Sequence, residues 1–379
     1  MNKIAVLGGG VVAMLTAILL KKNRKDVMLW RSFSQKLVGE NKRVFALNRA
    51  SITFLKAHGI LSYLPEQAMQ PIAHMRVWDG LGHAFMEFNA QDVRQSELAR
   101  IVEEPALWEA CYQILSELKI PVYESHSSFS CVQEKAEWIF SLEAGRCIKA
   151  DFLCVADGAR SPVREYLQVP CEKGSYGQKG IVAHIQVTKP HQAQALQIFG
   201  AHGPLAFLPL SSPYHYSMVW SLDDALANHY LELDEQALCQ KLNTYWDGYV
   251  GRVVAVKGIQ SFPLHYLHVN QYYGRNWMLL GDAAHHFHPL AGLGLNAGIA
   301  DVICLERLLK SQALDERLLS VFQRERRAKI MPLMYGMLII KNCFGNTDGF
   351  WVKLRSLGMD WLNHQSLIKK MMMNMVQDA

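Results

Sequence analysis

Three glycine-bearing clusters contain the residue types needed to hold a ligand rich in phosphates and hydroxyls. Gly8-Gly9-Gly10-Val11-Val12-Ala13 matches G-x-G-x-x-A between an apolar run, Ile4 to Leu7, and a helix-like one, Val11 to Leu20. In that context Gly8 permits a tight turn, Gly10 lets the backbone approach a pyrophosphate, and Ala13 is small enough for close helix packing. The anion is expected on the helix N-terminus, where the unpaired N–H groups around Val11 and Val12 and the helix dipole favour it. Taken alone, the motif also fits a glycine turn in an ordinary α/β protein. The end of the second strand should supply an Asp or Glu for ribose hydroxyls, and Trp30 and Arg31 stand there instead. An arginine at that point suits a 2′-phosphate; otherwise the adenosine end is held less tightly than usual.

Asp157-Gly158-Ala159-Arg160-Ser161-Pro162-Val163-Arg164 follows the apolar run Phe152 to Ala156, again a strand entering a turn. By itself it reads equally well as a β-turn with a capping aspartate. The third cluster runs from Gly281-Asp282 through His285, His286, His288-Pro289 and Gly292 to Gly294-Leu295-Asn296. An aspartate at a strand end accepts hydrogen bonds from ribityl or ribose hydroxyls, and a glycine-rich loop that opens a helix can aim the helix N-terminus at a ring that must become anionic. His285, His286 and His288 crowd one turn, but no carboxylate or cysteine stands at ligand spacing beside them. They are read as supporting the loop, and no metal is expected.

Elements that position these clusters are visible around them. Ile4 to Leu7, Val11 to Leu20 and Val27 to Trp30 form a βαβ opening. Ser51 to Leu64 reads as a helix broken at Gly59, and Leu107 to Leu118 as another. Ile181 to Val187, Ala206 to Leu210 and Tyr216 to Leu222 are β-rich, which places a second, sheet-containing domain in the middle third. After Trp277 to Leu280 a strand, a glycine-rich turn and a long helix through Leu309 return to the first pattern, so the domains are interleaved. At 379 residues the chain has room for two or three domains. With 50% hydrophobic and 19% charged residues it is a folding chain. A net charge of +5, scattered along the sequence, argues against a nucleic-acid binder. The eight cysteines form no C-x-x-C pair, which suits free thiols in a reducing compartment, the cytoplasm by default. The uncharged stretch between Lys3 and Lys21 is split by glycines and lacks a small-residue cleavage site, so no secretory signal is expected. Ile330 to Ile340 contains Pro332 and Gly336 and falls well short of the ~20 residues of a membrane span.

With all three clusters in order, the sequence resembles the flavin-dependent aromatic-ring hydroxylases with the fold of para-hydroxybenzoate hydroxylase, most of all the ubiquinone-biosynthesis branch. The likeness extends to Gly203-Pro204-Leu205-Ala206-Phe207-Leu208-Pro209-Leu210 and Ser217-Met218-Val219-Trp220-Ser221. It implies an α/β fold: a Rossmann-type FAD-binding domain (1–72, 98–170 and 272–330) interleaved with a β-sheet substrate domain (73–97 and 171–271), then a helical C-terminal region (331–379). It implies that Gly8, Gly10 and Ala13 cradle the FAD pyrophosphate, with Val11 and Val12 in the same turn. Trp30 or Arg31 would stand at the ribose, and Arg43 and Arg100 would contact the cofactor. Asp157, Gly158 and Arg164 would serve both FAD and NAD(P)H, and Gly281-Asp282 the ribityl or pyrophosphate side. Pro289, Gly292, Gly294, Leu295 and Asn296 would form the surroundings of the isoalloxazine, with no nucleophile required. The implied reaction uses NAD(P)H and O2, through a flavin C4a-hydroperoxide, to hydroxylate a polyprenylated phenol or quinol of ubiquinone biosynthesis. The alternatives are a hydroxylase of a soluble aromatic metabolite and a non-catalytic, flavoprotein-like subunit of a ubiquinone-biosynthesis assembly. Leu293 departs from the glutamine common in this branch, and Trp30-Arg31 depart from its acidic residue.

Near the C-terminus, Phe350, Leu354, Leu357 and Trp361 form an apolar stripe at helical spacing. Leu367, Ile368, Met371, Met372 and Met375 form another, with Lys369, Lys370, Met373 and Asn374 largely opposite. Such stripes usually pack on the core or on another subunit. The competing expectation is peripheral contact with the inner face of a membrane, where a polyprenyl substrate resides.

Overall fold

The computed structural model describes residues 3–32, 43–82, 84–125, 131–135, 137–141, 147–246, 248–287 and 292–377. Helices are numbered in chain order: α1 (Val11–Lys22), α2 (Arg49–Ala57), α3 (Glu104–Glu117), α4 (Pro162–Tyr166), α5 (Asp224–Leu231), α6 (Glu235–Trp246), α7 (Leu293–Leu309), α8 (Glu316–Gly345), α9 (Gly349–His364) and α10 (Ser366–Gln377).

One sheet is wound around the N-terminal strand. Lys3–Leu7 lies between Phe152–Val155 and Asp26–Ser32, with Val122–Ser125 beyond the latter and Trp277–Leu279 beyond the former, all parallel. These strands are short and almost wholly apolar because helices cover them: Ala13, Met14, Ala17 and Ile18 of α1 and Ile299, Val302 and Leu305 of α7 are buried in the same core. A parallel sheet built from strands this far apart in sequence places their C-terminal ends on one edge, where open α/β sheets bind ligands.

The second sheet, eight-stranded among the described residues, is mostly antiparallel. Two long strands, Cys171–Val187 and Val253–Val269, pair along most of their length with register shifts at bulges. The expected strands appear here as parts of Cys171–Val187, Gly203–Pro209 and His215–Asp223. His285–His286 joins this sheet at its edge through Leu267 and His268, so the third glycine cluster touches both sheets.

Gly59 breaks α2 as expected, in a left-handed conformation (φ 81°) before a single 3-10 turn. Pro332 does not end α8, which continues through it to Gly345. The C-terminal stripes do not turn toward the core of this chain. On α9 the face carrying Phe350, Leu354, Leu357 and Trp361 is exposed, and Arg355 and Met359 are buried instead. On α10 Leu367 and Met371 are exposed while Met373, expected on the polar face, is buried. No described helix is long and apolar enough to cross a membrane.

Candidate functional site

Register brings the three clusters together. Leu7 lies beside Val155 and Trp30, and Val155 beside Leu279. Gly8, Asp157, Gly281 and Arg31 therefore leave the sheet at nearly the same level along one edge. Gly8 donates its N–H to Trp30 O (2.8 Å). It is held at φ +132°, and a Cβ there would come 2.2 Å from Ala156 O, so only glycine allows the two strand ends to meet. Ala13 and Val12 pack behind the turn, Val12 filling the space left by Gly281 and Gly298.

Gly10 and Gly294 behave differently. Neither would bring a Cβ within 4 Å of another group, so open space lies in front of both. They stand at the starts of α1 and α7, and no side chain caps either helix. By contrast Asn48, Asp315 and Asp348 cap α2, α8 and α9. Two uncapped helix N-termini with glycine-wide clearance form anion-accepting positions. At the same sheet edge lies Asp157, whose two carboxylate oxygens are buried with the Ser161 hydroxyl and the Val163 N–H as donors beside them but no well-formed hydrogen bond among the described residues. Burial pushes this carboxyl up to about 6, against the opposing pull of Ser161 and Arg164. A buried acid whose oxygens are only weakly satisfied by these donors fits a ligand that brings hydroxyl donors, and the whole set fits a dinucleotide such as FAD.

Asp282 sits on the single 3-10 turn after Leu280 and accepts from His286 Nδ1 (3.0 Å). Burial raises its carboxyl, but the His286 bond and the charges of His286, His285 and Arg43 outweigh that and hold it below the usual carboxylate value. Conversely, burial lowers His286 while the bond and charge of Asp282 lift it above the ordinary imidazole value. Arg43 thus faces this pair; it also lies 3.6 Å from Glu104.

Several predicted residues also make contacts within the chain. The Trp30 indole is buried against Tyr123 and Phe140 (centroids 5.7 and 5.0 Å). Arg164 is buried and donates to Ala283 O (3.1 Å) and Ala159 O (2.8 Å), tying the Asp157 turn to the Asp282 turn. Asn296 accepts from Asn48 N and Ser51 Oγ and donates to Ala46 O and Gly292 O, so its amide braces the start of α7 against α2. Arg100 pairs with Glu97 (2.6 Å). Leu295 is half-buried against the first core. Gly158 opens onto free space at φ +93°. Pro289 and His288 lie outside the described residues, and no group of metal ligands occurs among those described.

The sequence reading missed the group beneath the third cluster. Asp301 of α7, fully buried, accepts from Gly281 N (2.7 Å), His285 Nε2 (2.8 Å) and Arg326 Nε (2.5 Å), the last on α8. Burial raises its carboxyl, but His285 and Arg326 more than compensate and keep it low. This network fixes the backbone that presents Asp282. An acid in the otherwise apolar stretch Gly298-Ile299-Ala300-Asp301-Val302-Ile303 was its one signal.

Comparison with known proteins agrees with this geometry. The family model described as FAD binding domain matches residues 1–335. The chain is 29% identical to the Drosophila melanogaster ubiquinone biosynthesis monooxygenase COQ6, covering 98% of this chain and 88% of the relative. It is 26% identical to the Escherichia coli 3-demethoxyubiquinol 3-hydroxylase, covering 97% and 96%. The solved structure of Klebsiella pneumoniae HpxO, complexed with FAD and uric acid, superposes with a TM-score of 0.78 at 16% identity, covering 100% of this chain and 97% of that one.

Proposed function

Because that family model spans most of its length, the chain belongs to the FAD binding domain family, and we propose that it is an FAD-dependent monooxygenase hydroxylating a phenol or quinol ring of a ubiquinone precursor. NAD(P)H is its reductant and O2 its oxidant. The observation that carries the reading is the gathering of the glycine turn that opens α1, the weakly satisfied buried Asp157 and the Gly281-Asp282 turn at one sheet edge, with a second uncapped, glycine-fronted helix start at α7.

FAD, when bound, supplies the redox and oxygen chemistry. The chain's part is to bind, orient and polarise. Gly8, Gly10, Val11, Val12 and Ala13 shape the pyrophosphate turn, with the N–H groups opening α1 as donors. Asp157, beside Gly158, and Asp282, after Gly281, accept ligand hydroxyls, and Arg43 adds positive charge beside Asp282. The start of α7, Gly292 to Asn296, would offer its positive end to the isoalloxazine and so favour negative charge there without a side-chain base. Pro289, outside the described residues, is assigned to the same surroundings by its place in the sequence alone. Arg164 and Asn296 act by holding these segments. In this reading 1–72, 98–170 and 272–330 form the cofactor domain, 73–97 and 171–271 the substrate domain, and 331–379 the helical region. A polyprenyl tail on the substrate would favour a peripheral position at the inner face of the membrane and contact with other proteins of the same biosynthesis.

With FAD, NAD(P)H and O2 supplied, a prenylated phenol should emerge heavier by one oxygen, and Asp282→Ala should weaken FAD binding by about tenfold or more, having removed an acceptor of ligand hydroxyls. Hydroxylation of soluble aromatic acids alone would reassign the substrate. Bound FAD with neither substrate class reacting would make the chain a non-catalytic subunit.

A further inference from the structure

The strand Asp26–Ser32 ends without the acid that accepts ribose hydroxyls in dinucleotide folds. Arg31, in its place, carries donors only and cannot accept from a hydroxyl. Its guanidinium is nevertheless closely positioned. Nε donates to Glu124 Oε1 (2.8 Å), Nη2 bonds to the same oxygen, and the group lies over the rings of Trp108 and Tyr112 at 5.2 and 5.7 Å. Trp108 in turn donates Nε1–H to Gly9 O (2.8 Å), so this cluster is attached to the glycine turn itself. Glu124 is the register partner of Arg31 on the adjacent parallel strand Val122–Ser125. Its side chain remains 31% exposed, and Oε2 accepts no bond from the described residues.

We propose that the ribose-binding acid has moved one strand over: Glu124 accepts the adenosine ribose hydroxyls of the cofactor, and Arg31 aims it from the position the acid usually occupies. The proposal rests on the FAD reading above. The arrangement returns a carboxylate acceptor to the same sheet edge, with Oε1 anchored by the arginine and Oε2 available to the ligand. Stacking over Trp108 and Tyr112 restricts Arg31, so the pair does not collapse into the space in front of Gly10.

The test is fluorescence titration of the apoprotein with FAD and with its 2′-deoxyadenosine analogue, for the unchanged chain, Glu124→Gln, and Arg31→Glu combined with Glu124→Gln. The unchanged chain should prefer FAD to the analogue by about tenfold, the effect of one hydrogen bond to a charged acceptor. Glu124→Gln should weaken FAD by a similar factor and abolish that preference. The double variant, with the acid back at the end of Asp26–Ser32, should recover most of both. A purely structural clasp between strands would change FAD and analogue affinities equally, and that outcome, or an unchanged preference in Glu124→Gln, overturns the proposal. Failure of the unchanged chain to bind FAD at all would overturn the cofactor reading and this inference with it.

Discussion

Asp157 shows how one side chain can reveal a ligand by its own discomfort. Its folded carboxyl lies at about 6 because burial disfavours the charge, while an unfolded aspartate ionises near 3.9. Between those values the folded state binds the extra proton, so apoprotein stability falls as pH rises from about 4 to about 6 and is flat above. Asp157→Asn should therefore raise apoprotein stability by about 3 kcal/mol at pH 7 and by only about 0.5 kcal/mol near pH 4, read as the shift in melting temperature across that range. An equal gain at both pH values would mean that the burial of Asp157 is not the cause. The residue types of the site were legible in the sequence because glycine turns and strand-end aspartates constrain their neighbours locally. What individual side chains do was less legible. Nothing near Asn296 in sequence announces that its amide is satisfied by Ala46, Asn48 and Ser51, and nothing near Trp30 says which way the strand faces.

At the level of elements, α9 breaks the rule that an apolar stripe turns inward. The reason is Arg355, which makes a two-pronged pair with buried Asp79 (2.8 and 2.9 Å) and donates to Cys343 O, Phe344 O and Asn346 O. Stranding that guanidinium in solvent would leave Asp79 charged in the interior, so the ion pair, with Met359 packed on Ala84 and Met86, selects the inward face. Burial raises the Asp79 carboxyl, but Arg355 and the Leu81 N–H outweigh it and keep it low. The pair's contribution is therefore complete above about pH 4 and is lost as pH falls through the depressed folded value. Arg355→Met should cost about 3–5 kcal/mol at pH 7 in urea unfolding, whereas Leu354→Ser on the outer face should change stability by less than about 0.5 kcal/mol. A reversed ranking would mean that the stripe, and not the pair, holds α9. Periodicity made the βαβ opening and the long α7 readable, since those helices have one partner layer. It could not orient α9, whose partner Asp79 lies 276 residues away along the chain.

Across the whole molecule, the outward stripe of α9 and the exposed residues of α10 leave more apolar surface than two ordinary surface helices. Phe350 is 69% exposed, Leu357 68%, Trp361 57%, Leu367 71% and Met371 58%. Exposed apolar residues gathered on one helix face signal a contact. The chemistry around them favours lipid: Trp351 and Trp361 are the interfacial aromatic type, and Lys353 and Lys370 are exposed on the same two helices. A few lysines at about 1 kcal/mol each near an anionic surface, plus partial burial of this stripe, give weak and reversible attachment. Such attachment would suit the proposed polyprenylated substrate, which resides in the bilayer. Flotation with phosphatidylglycerol vesicles should carry the full chain, lose about tenfold of it for Phe350→Ser, Leu357→Ser and Trp361→Ser combined, and lose less for a chain ending at Ser366, because α9 carries the larger aromatic face. High salt should weaken all three. If the triple variant, still folded by its melting temperature, floats as well as the unchanged chain, the stripe is not the membrane contact. Concentration-dependent dimerisation lost in the same variant would then assign it to a second copy of the chain.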